Sequence, residues 1–392
     1  MGVPGRSKAG KRSSASAAGS RTTGERKGGA RKARRKAAAP PARPLGKIDS
    51  VGIARLVGVA RSTVSKALNG YPYVAAETRE RILQAVRAYE YYPNYSAQVL
   101  AGKQPNTLGL FFFNPGHFSE DVLADFMISS VIENAAALGY RTLAYVIRNP
   151  ADRAARESLK EAFYQRRIGA GMFIGARNRE PLIEQLVADG HVVGVLDQRP
   201  PARTEPNRVV TNFDDVETAR AVIDYLVSQG HRRIGIIHGD RKRNAGAMKY
   251  RGFLAGMRAH GLQIRDGWMM DGDFQTEGGY LAMRRLLAEQ AELPTAIAAV
   301  NDNTAFGAMR AIAERGLRIP DDVSIVGIDG HPFCAYARPP LTTFEYDIQA
   351  MMRGLIASVI GVVTGQPDGV ALRQVHTSRL VERQSCRRID PS

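Results

Sequence analysis

Cysteine is scarce in this sequence, which contains only Cys334 and Cys386 among its 392 residues. Two cysteines so far apart exclude a disulfide framework and a CxxC site. Long apolar runs are also missing, because no stretch reaches the roughly eighteen consecutive apolar residues of a membrane-spanning helix. The N-terminus lacks the apolar stretch of a secretory signal peptide. We therefore expect a cytoplasmic protein with no membrane partner.

The motifs of common enzyme classes are absent as well. The seven histidines are scattered without the HExxH spacing of a zinc site, and no GxSxG or GxxxxGK[ST] motif occurs. The glycines at 169–171 precede a predicted strand instead of following it, which is a poor dinucleotide-binding pattern. We expect no catalytic residues, no metal site and no cofactor. An enzyme remains the main alternative class.

Acidic residues are almost absent from the first 47 positions. That segment has fourteen lysines and arginines against the single acid Glu25, so it carries +13 of the formal net charge of +17. It has too few apolar side chains to offset the entropy cost of ordering, so residues 1–46 are predicted to be a disordered basic tail. Such a tail could add non-specific affinity for nucleic acid. A solvated extension without a role, or a start codon placed too far upstream, explains it equally well.

From residue 107 onward, short apolar runs alternate with amphipathic stretches of helical length. This pattern is typical of parallel α/β units. Glycines that end helices directly before a strand fit the left-handed cap position, at Gly139, Gly190, Gly230 and Gly316. Two series of runs predict two similar lobes, each an open parallel sheet covered by helices on both faces. The predicted strands are 108–113, 142–147, 171–174 and 192–196 in the first series, and 233–238, 296–300 and 323–328 in the second.

Residues 53–68, IARLVGVARSTVSKAL, have the pattern of a helix-turn-helix. Ile53, Leu56 and Val57 can line one helical face, and Gly58 supplies a turn. A second apolar face follows at Val64, Ala67 and Leu68. In such a motif the second helix lies in the major groove of DNA. An ordinary helical hairpin is the alternative.

Four segments together resemble the lactose-repressor (LacI–GalR) family of transcriptional regulators. They are GVARSTVSKALNG at 58–70, TRERI at 78–82, YYPN at 91–94 and AQVLAGK at 97–103. The resemblance implies an all-α helix-turn-helix head at 47–93 and a hinge helix with its linker at 94–105. It further implies a two-lobed, periplasmic-binding-protein-like domain for effector binding and dimerisation at 106–385, followed by a tail at 386–392. A periplasmic sugar carrier would share the lobes but not the head.

By this resemblance, the chain is a ligand-responsive repressor that binds a palindromic double-stranded operator as a homodimer. Arg and Lys suit the O6 and N7 acceptors of guanine, which agrees with the implied base-reading roles. The resemblance assigns base reading to Arg61, Ser62 and Lys66, and phosphate contacts to Thr63, Ser65, Asn69 and Tyr91. Thr63 and Ser65 could instead cap the helix or face solvent. Asn94 and Ala97 belong to the hinge, where Leu100 is the implied apolar wedge in the minor groove.

The head departs from the family pattern at four positions. Gly52 replaces a usual Asp, Val57 a usual Ala, and Ala60 and Ala75 usual serines. The two alanines lie at predicted helix starts, where a lost hydroxyl cap costs roughly 1 kcal/mol. We expect a less stable head.

The hinge, about nine residues long, is shorter than the roughly 12–15 residues that an isolated helix needs, so we expect it to fold only against DNA and a dimer partner.

The effector is expected in the cleft between the lobes, at the carboxyl ends of the strands. Asp302 is the first candidate for ligand contact by resemblance. Asp302 and Asp329 could accept hydrogen bonds from a sugar, whereas Arg199, Arg241 and Arg243 would suit an acidic group, either a sugar acid or a phosphate. Phe118, beside His117, could supply a stacking face or only cover the cleft. Lys249 stands where the family usually has Arg, and Gly330 replaces a common Asp. The RPPLTT segment at 338–343 is expected at a crossover between the lobes.

Overall fold

A computed structural model describes residues 48–100, 102, 104–113, 122–149, 152–366 and 368–390. The predicted tail at 1–46 and the candidate residues His117 and Phe118 lie outside the described residues. The chain divides into two compact units, with the division between Pro93 and Asn94. The first unit is all-helical and the second is α/β, so the predicted fold class is confirmed.

The first unit is a bundle of three helices, α1 (Ser50–Val57), α2 (Arg61–Leu68) and α3 (Ala76–Ala88). The turn between α1 and α2 begins at Gly58, whose φ of 72° is the left-handed conformation that glycine tolerates best. The core of the unit contains Ile53, Val64 and Ile82, each fully buried. The prediction for Leu56 was wrong: it is 45% exposed, and Ala54 takes its place in the core beside Val57.

The second unit begins with α4 (Tyr95–Leu100) and continues into two lobes. The strands and helices of the first lobe are β1 (Thr107–Phe113), α5 (Val122–Ala137), β2 (Arg141–Ile147), α6 (Arg153–Tyr164), β3 (Ala170–Ile174), α7 (Pro181–Ala188), β4 (Val193–Leu196), β5 (Arg208–Phe213), α12 (Ile348–Thr364) and β11 (Arg373–His376). Those of the second lobe are α8 (Asp215–Ser228), β6 (Ile234–His238), α9 (Asn244–Ala259), β7 (Met269–Asp271), α10 (Thr276–Glu289), β8 (Ala296–Ala299), α11 (Asp302–Glu314), β9 (Ser324–Asp329), β10 (Thr342–Glu345) and β12 (Arg379–Val381).

Each lobe contains one six-stranded sheet. The strand order is β11-β5-β4-β3-β1-β2 in the first lobe and β12-β10-β9-β8-β6-β7 in the second. Every pairing is parallel except that of β10 with β12. Every residue of β3, β4, β6 and β8 is buried, as expected for strands covered by helices on both faces. The four predicted helix-ending glycines have φ between 78° and 92°, which confirms them as left-handed caps.

The chain crosses between the lobes three times. It passes from β5 to α8, returns from β10 to α12, and passes again from β11 to β12. The RPPLTT segment is not itself a crossover, and this prediction was wrong. It leads into β10 within the second lobe, and the crossing follows at Tyr346 and Asp347. Tyr346 and Asp347 are not prolines, so the sequence gives no sign of a crossing there, whereas the two prolines of RPPLTT suggested one at 338–343.

The end of the described chain lies against the second lobe. The amide of Ile389 donates to the carbonyl of Gln229 at 2.8 Å, and the Nε2 of His231 lies 3.1 Å from the carbonyl of Arg387. Among the described residues, no helix combines the length and the apolar character needed to cross a membrane. That same part of the chain contains no group of three or more His, Cys, Asp or Glu side chains that could hold a metal ion.

Candidate DNA-binding head and effector cleft

The second helix of the head, α2, presents a polar face to solvent. Val64 and Ala67 turn inward and anchor the helix to α1 and α3. The predicted DNA contacts lie on the opposite side: Arg61, Ser62, Ser65, Lys66 and Asn69 are exposed, and Thr63 is half-buried. No acidic residue occurs between Ser50 and Ala76. The outer face of α2 is therefore basic and accessible, as binding to phosphates and guanine edges requires.

Two contacts hold the basic side chains of α2. The Nε of Arg61 donates to the Oγ of Ser50 at 3.0 Å, so the first turn of α1 orients the guanidinium. The Nζ of Lys66 lies 5.6 Å from the centre of the Tyr73 ring. The roles of Ser50 and Tyr73 could not be predicted from the sequence, because both residues lie outside α2 and contact it only in the folded head.

The helix starts of the head lack side-chain caps, as predicted. Ala60 precedes α2 and Ala75 precedes α3, and neither offers a hydrogen bond to the first-turn amides. By contrast, the carboxylate of Asp49 accepts from the amide of Gly52 at 2.8 Å and caps α1. The helices α2 and α3 are therefore less stabilised than α1 at their N-termini.

The predicted contacts beyond α2 occupy different surroundings. Tyr91 is half-buried against the head core, whereas Asn94 is exposed. Ala97 and Leu100 lie in α4, but their side chains fall outside the described part of the structure. Tyr95 fixes the start of α4 to the first lobe: its hydroxyl accepts from the amide of Asn106 at 2.7 Å. That α4 forms only against DNA stays a prediction.

The carboxyl ends of the strands bring together a buried group of charged side chains. We call Asp197, Asp215, Lys249 and Asp329 the cleft cluster. The Nζ of Lys249 donates to Asp329 Oδ1 at 3.1 Å and to the carbonyl of Val300 at 3.1 Å. It lies 3.8 Å from Asp215 Oδ1. Lys249 and Asp329 were predicted from the sequence, and the structure places them in direct contact.

Asp197 joins the two lobes. It follows β4 of the first lobe, and its carboxylate accepts from the Asn244 side chain at 2.8 Å and from the Ala245 amide at 3.2 Å. Both donors belong to the N-terminus of α9 in the second lobe, where amides without helical partners and the helix dipole favour an anion. Burial raises the pKa of Asp197, although these hydrogen bonds and Lys249 oppose that shift.

Burial also governs protonation in the rest of the cleft cluster. It raises the pKa of Asp215 well above its usual value, against the attraction of Lys249. Burial alone would lower the pKa of Lys249, but the carboxylates of Asp329 and Asp215 outweigh it, and the pKa of Lys249 rises. The amine is therefore protonated at neutral pH, with carboxyl groups around it.

Asp302 lies beside the cleft cluster but points into the second lobe. Its Oδ1 accepts from the Thr343 hydroxyl and its Oδ2 from the His331 amide, each at 2.7 Å. The residue is 1% exposed, and burial followed by the charge of Asp329 raises its pKa to about 7. These bonds fix the loop that follows β9, the strand that ends at Asp329. A direct ligand contact by Asp302 stays a prediction.

The arginines considered for an acidic ligand are not gathered in the cleft cluster. Arg199 is exposed, and its amide donates to Asn178 Oδ1 at 2.7 Å. The guanidinium of Arg241 lies 4.9 Å from the centre of the Tyr250 ring. Arg243 is half-buried at the start of α9, where its charge acts on Asp197.

Two residues of the cleft, Asp215 and Tyr346, could not be singled out from the sequence. The Tyr346 hydroxyl donates to Thr218 Oγ1 at 2.8 Å and lies 3.5 Å from Asp215 Oδ1. The hydroxyl oxygens of Thr218 and Ser378 are 2.8 Å apart. These residues belong to or adjoin the three crossovers, so their hydrogen bonds tie the crossing segments together.

Backbone strain gathers at the same edge. Asp197, Asp273, Phe274 and Asp329 have φ of 58°, 46°, 71° and 113°, and each lies at or just beyond the end of a strand. Left-handed conformations are costly for residues other than glycine and cluster at ligand sites. This strain supports the cleft as the functional site of the second unit.

Comparison with known proteins identifies both units. The profile described as "Bacterial regulatory proteins, lacI family" matches residues 52–94, and that of the periplasmic binding protein-like domain matches residues 223–386. The chain therefore combines a LacI-type helix-turn-helix domain with a periplasmic-binding-protein-like domain. It is a DNA-binding transcriptional regulator with an effector-binding domain, as the sequence predicted.

Curated repressors are among the proteins that this chain resembles along most of its length. The HTH-type transcriptional repressor PurR of Pasteurella multocida is 27% identical over 334 residues, which cover 84% of this chain and 96% of PurR. The probable HTH-type transcriptional repressor ExuR of Bacillus subtilis is 28% identical over 349 residues, covering 86% of this chain and 98% of ExuR. These proteins are transcriptional repressors.

Solved structures of the LacI family share the fold. The lac repressor dimer bound to operator and the anti-inducer ONPF is 24% identical, with a TM-score of 0.75 over 87% of this chain and all of that one. The regulator CelR in complex with cellobiose is also 24% identical, with a TM-score of 0.65 over 86% of this chain and 99% of CelR.

Proposed function

We propose that this protein represses transcription by binding a palindromic operator as a homodimer, and that a sugar-like small molecule in the cleft controls the binding. The observation that carries the proposal is the exposed, basic face of α2. Arg61, Ser62 and Lys66 would read bases, while Thr63, Ser65, Asn69 and Tyr91 would hold phosphates. The domains would be the head at 47–93, the hinge at 94–105 and the effector domain at 106–385. Residues 1–46 would be a disordered basic tail and residues 386–392 a short tail.

Exposed apolar side chains on the first lobe support the dimer. Ile132 on α5 and Leu143 and Val146 on the edge strand β2 are 46%, 41% and 49% exposed. The two elements pack against each other, and Val146 lies on the α5 side of β2, because its strand partner Phe112 packs with residues of α5, whereas Leu143 lies on the opposite side of the sheet. An edge strand with exposed apolar side chains tends to associate. A second copy of the chain would cover this face and supply the second head that a two-fold operator needs.

The hinge would connect this dimer to DNA. Tyr95 holds the start of α4 against the first lobe, as its bond with Asn106 shows. Asn94, Ala97 and Leu100 would then approach the minor groove between the two heads, with Leu100 opening a base step. Because α4 has only six residues, small movements of the first lobes would decide whether it forms.

The cleft would supply the control. Asp329, Lys249 and Asp302 would bind or orient the effector, with Arg199 and Phe118 as further candidates. The bonds from Asp197 to α9 join the lobes, so a ligand placed there changes how the lobes close. Effector and operator would then influence each other through a coupling free energy of about 1–3 kcal/mol. The protein would act in the cytoplasm as a regulator without catalytic activity.

Selection of binding sites from a randomised DNA library tests the function. The purified full chain should enrich a two-fold symmetric sequence whose half-sites are centred about one helical turn apart. Arg61→Ala should relax the preference at one base pair of each half-site, whereas Arg87→Ala, which removes an exposed arginine of α3, should leave the enriched sequence unchanged. Absence of a symmetric sequence with the unaltered protein, over a range of salt concentrations, would refute the proposed function.

A further inference from the structure

Asp215 is the member of the cleft cluster with unused hydrogen-bonding capacity. It is 2% exposed, and its Oδ1 lies 3.5 Å from the Tyr346 hydroxyl and 3.8 Å from Lys249 Nζ. Its Oδ2 is buried without a hydrogen-bond partner. A buried carboxyl oxygen in this condition costs free energy that a donor from a ligand would recover.

The charge of the cleft cluster favours one kind of donor. Asp197, Asp215 and Asp329 provide three carboxyl groups, against the ammonium of Lys249 and the guanidinium of Arg243, which acts on Asp197. Lys249 is already engaged with Asp329, and Asp197 is bonded to the N-terminus of α9. A ligand that carries a positive charge would reduce the excess of acid, whereas a carboxylate ligand would add to it.

We propose that the effector is an amine-bearing polyol, such as an amino sugar, whose ammonium group binds the Oδ2 of Asp215. The inference rests on the proposed function, since it names the ligand class of the same cleft. An ammonium donor forms shorter and stronger hydrogen bonds with a carboxylate than a neutral hydroxyl does. The hydroxyl groups of the polyol would meet the other polar groups of the strand ends.

The position of Asp215 explains how this ligand would act on the lobes. Asp215 begins α8, directly after the first crossover, and its other oxygen faces Tyr346 at the second crossover. Tyr346 in turn bonds to Thr218, which contacts Ser378 at the third. A charge held at Asp215 therefore acts on all three segments about which the lobes move.

Calorimetric titration of the full chain with matched sugars tests the inference. The probes are glucosamine, galactosamine and mannosamine, each paired with its parent hexose, and glucuronate and galacturonate as anionic members. We expect at least one amine to bind more tightly than its parent hexose by about tenfold or more, because only the ammonium forms a charge-assisted bond. Neither uronate should match that affinity.

Two variants connect the preference to Asp215. Asp215→Asn keeps the shape of the side chain but removes its charge, and it should abolish the preference for the amine while the parent hexose binds as before. Asp224→Asn is the matched control, since Asp224 is a partly exposed aspartate of the same helix that pairs with Arg220 and His260. It should retain the preference.

The inference is overturned if no amine binds, if a neutral hexose or a uronate binds more tightly than the matched amine, or if Asp215→Asn keeps the preference. These outcomes are separate from the failure of the proposed function. A protein that selects a symmetric operator but prefers a neutral or acidic sugar refutes the ligand class alone. One that binds the amine without any operator preference refutes the function alone.

Discussion

At the scale of single residues, buried carboxyl groups set the properties of the second unit. Asp197 joins the lobes, Asp215 faces the crossovers, and Asp302 holds the loop after β9. Each has a raised pKa because burial disfavours its charge. The three positions therefore link the protonation state of the cleft to the stability of the fold.

The pH dependence of stability should show the contribution of Asp302. Its pKa is about 7 in the folded protein and about 4 in an unfolded chain, so ionisation is favoured in the unfolded state between these values. The contribution of Asp302 is fully present below about pH 4 and is lost as the pH rises to about 7. Asp302→Asn reproduces the protonated carboxyl and should be more stable than the natural protein at pH 8, by up to about 4 kcal/mol.

Urea unfolding at pH 5, 6.5 and 8 measures this difference. The advantage of Asp302→Asn should grow with pH and level off near pH 7. The Asp224→Asn variant serves as the control for replacement of an aspartate on the same lobe. A difference between Asp302→Asn and the natural protein that is constant over this range would contradict the raised pKa.

At the scale of the secondary-structure elements, the three helices of the head differ in how their N-termini are capped. Asp49 caps α1, but alanine precedes both α2 and α3. Serine at Ala60 or Ala75 should accept a hydrogen bond from a first-turn amide and stabilise the head by about 0.5–2 kcal/mol at each position. Hydrogen exchange of the full chain should then show slower exchange of the amides of α2 and α3.

Ala88→Ser is the control for the capping prediction. Ala88 is exposed at the last turn of α3, where no unpaired amide is available to a hydroxyl. It should not slow exchange. If Ala60→Ser and Ala75→Ser behave as Ala88→Ser does, the missing caps do not limit the stability of the head.

The hinge helix gives a second prediction at this scale. Leu100→Ala should weaken operator binding far more than binding to random DNA, because the proposed wedge acts only at the kinked centre of an operator. The loss should be about 1–3 kcal/mol on the selected operator. Mobility-shift titrations on both DNAs measure it, and equal losses on the two would exclude a wedge.

The sequence predicted those elements that a short run of consecutive apolar residues identifies. The strands β1 to β4, β6, β8 and β9 are apolar runs, and the structure confirms them with ends shifted by one residue. The strands β5, β7, β10, β11 and β12 were not predicted, because they are short or carry polar residues such as Arg373 and Arg379 at sheet edges. Their pairing depends on partners far along the chain.

The same distinction applies to the cleft. Lys249 and Asp329 could be named because each lies in a segment that resembles the LacI–GalR family. Asp215 and Tyr346 could not, since they are 131 residues apart and meet only where the crossovers pass each other. Leu56 shows the opposite error. Its helical spacing assigned it to the core, but its side chain is exposed, and the smaller Ala54 is buried where α1 closely approaches its neighbours.

At the scale of the whole molecule, dimerisation should depend on the apolar face of α5 and β2. Val146→Glu places a charge on the edge strand of the first lobe and should convert the dimer to a monomer, which sedimentation velocity detects. A single head reads only a half-site, so operator affinity should fall together with dimerisation. Val375→Glu is the matched control, since Val375 is 65% exposed on β11, the edge strand at the opposite side of the same sheet. A Val146→Glu protein that stays dimeric would place the partner elsewhere.

The threefold passage of the chain between the lobes has a consequence for synthesis on the ribosome. The head is complete once Pro93 has emerged, but the first lobe lacks α12 and β11 until His376 is made. At about 5–20 residues per second, this interval lasts roughly 15–60 s. During that time each nascent chain carries a folded DNA reader that lacks both its partner and its ligand control. Because one such reader alone binds weakly, we expect operator binding only when translation is nearly finished.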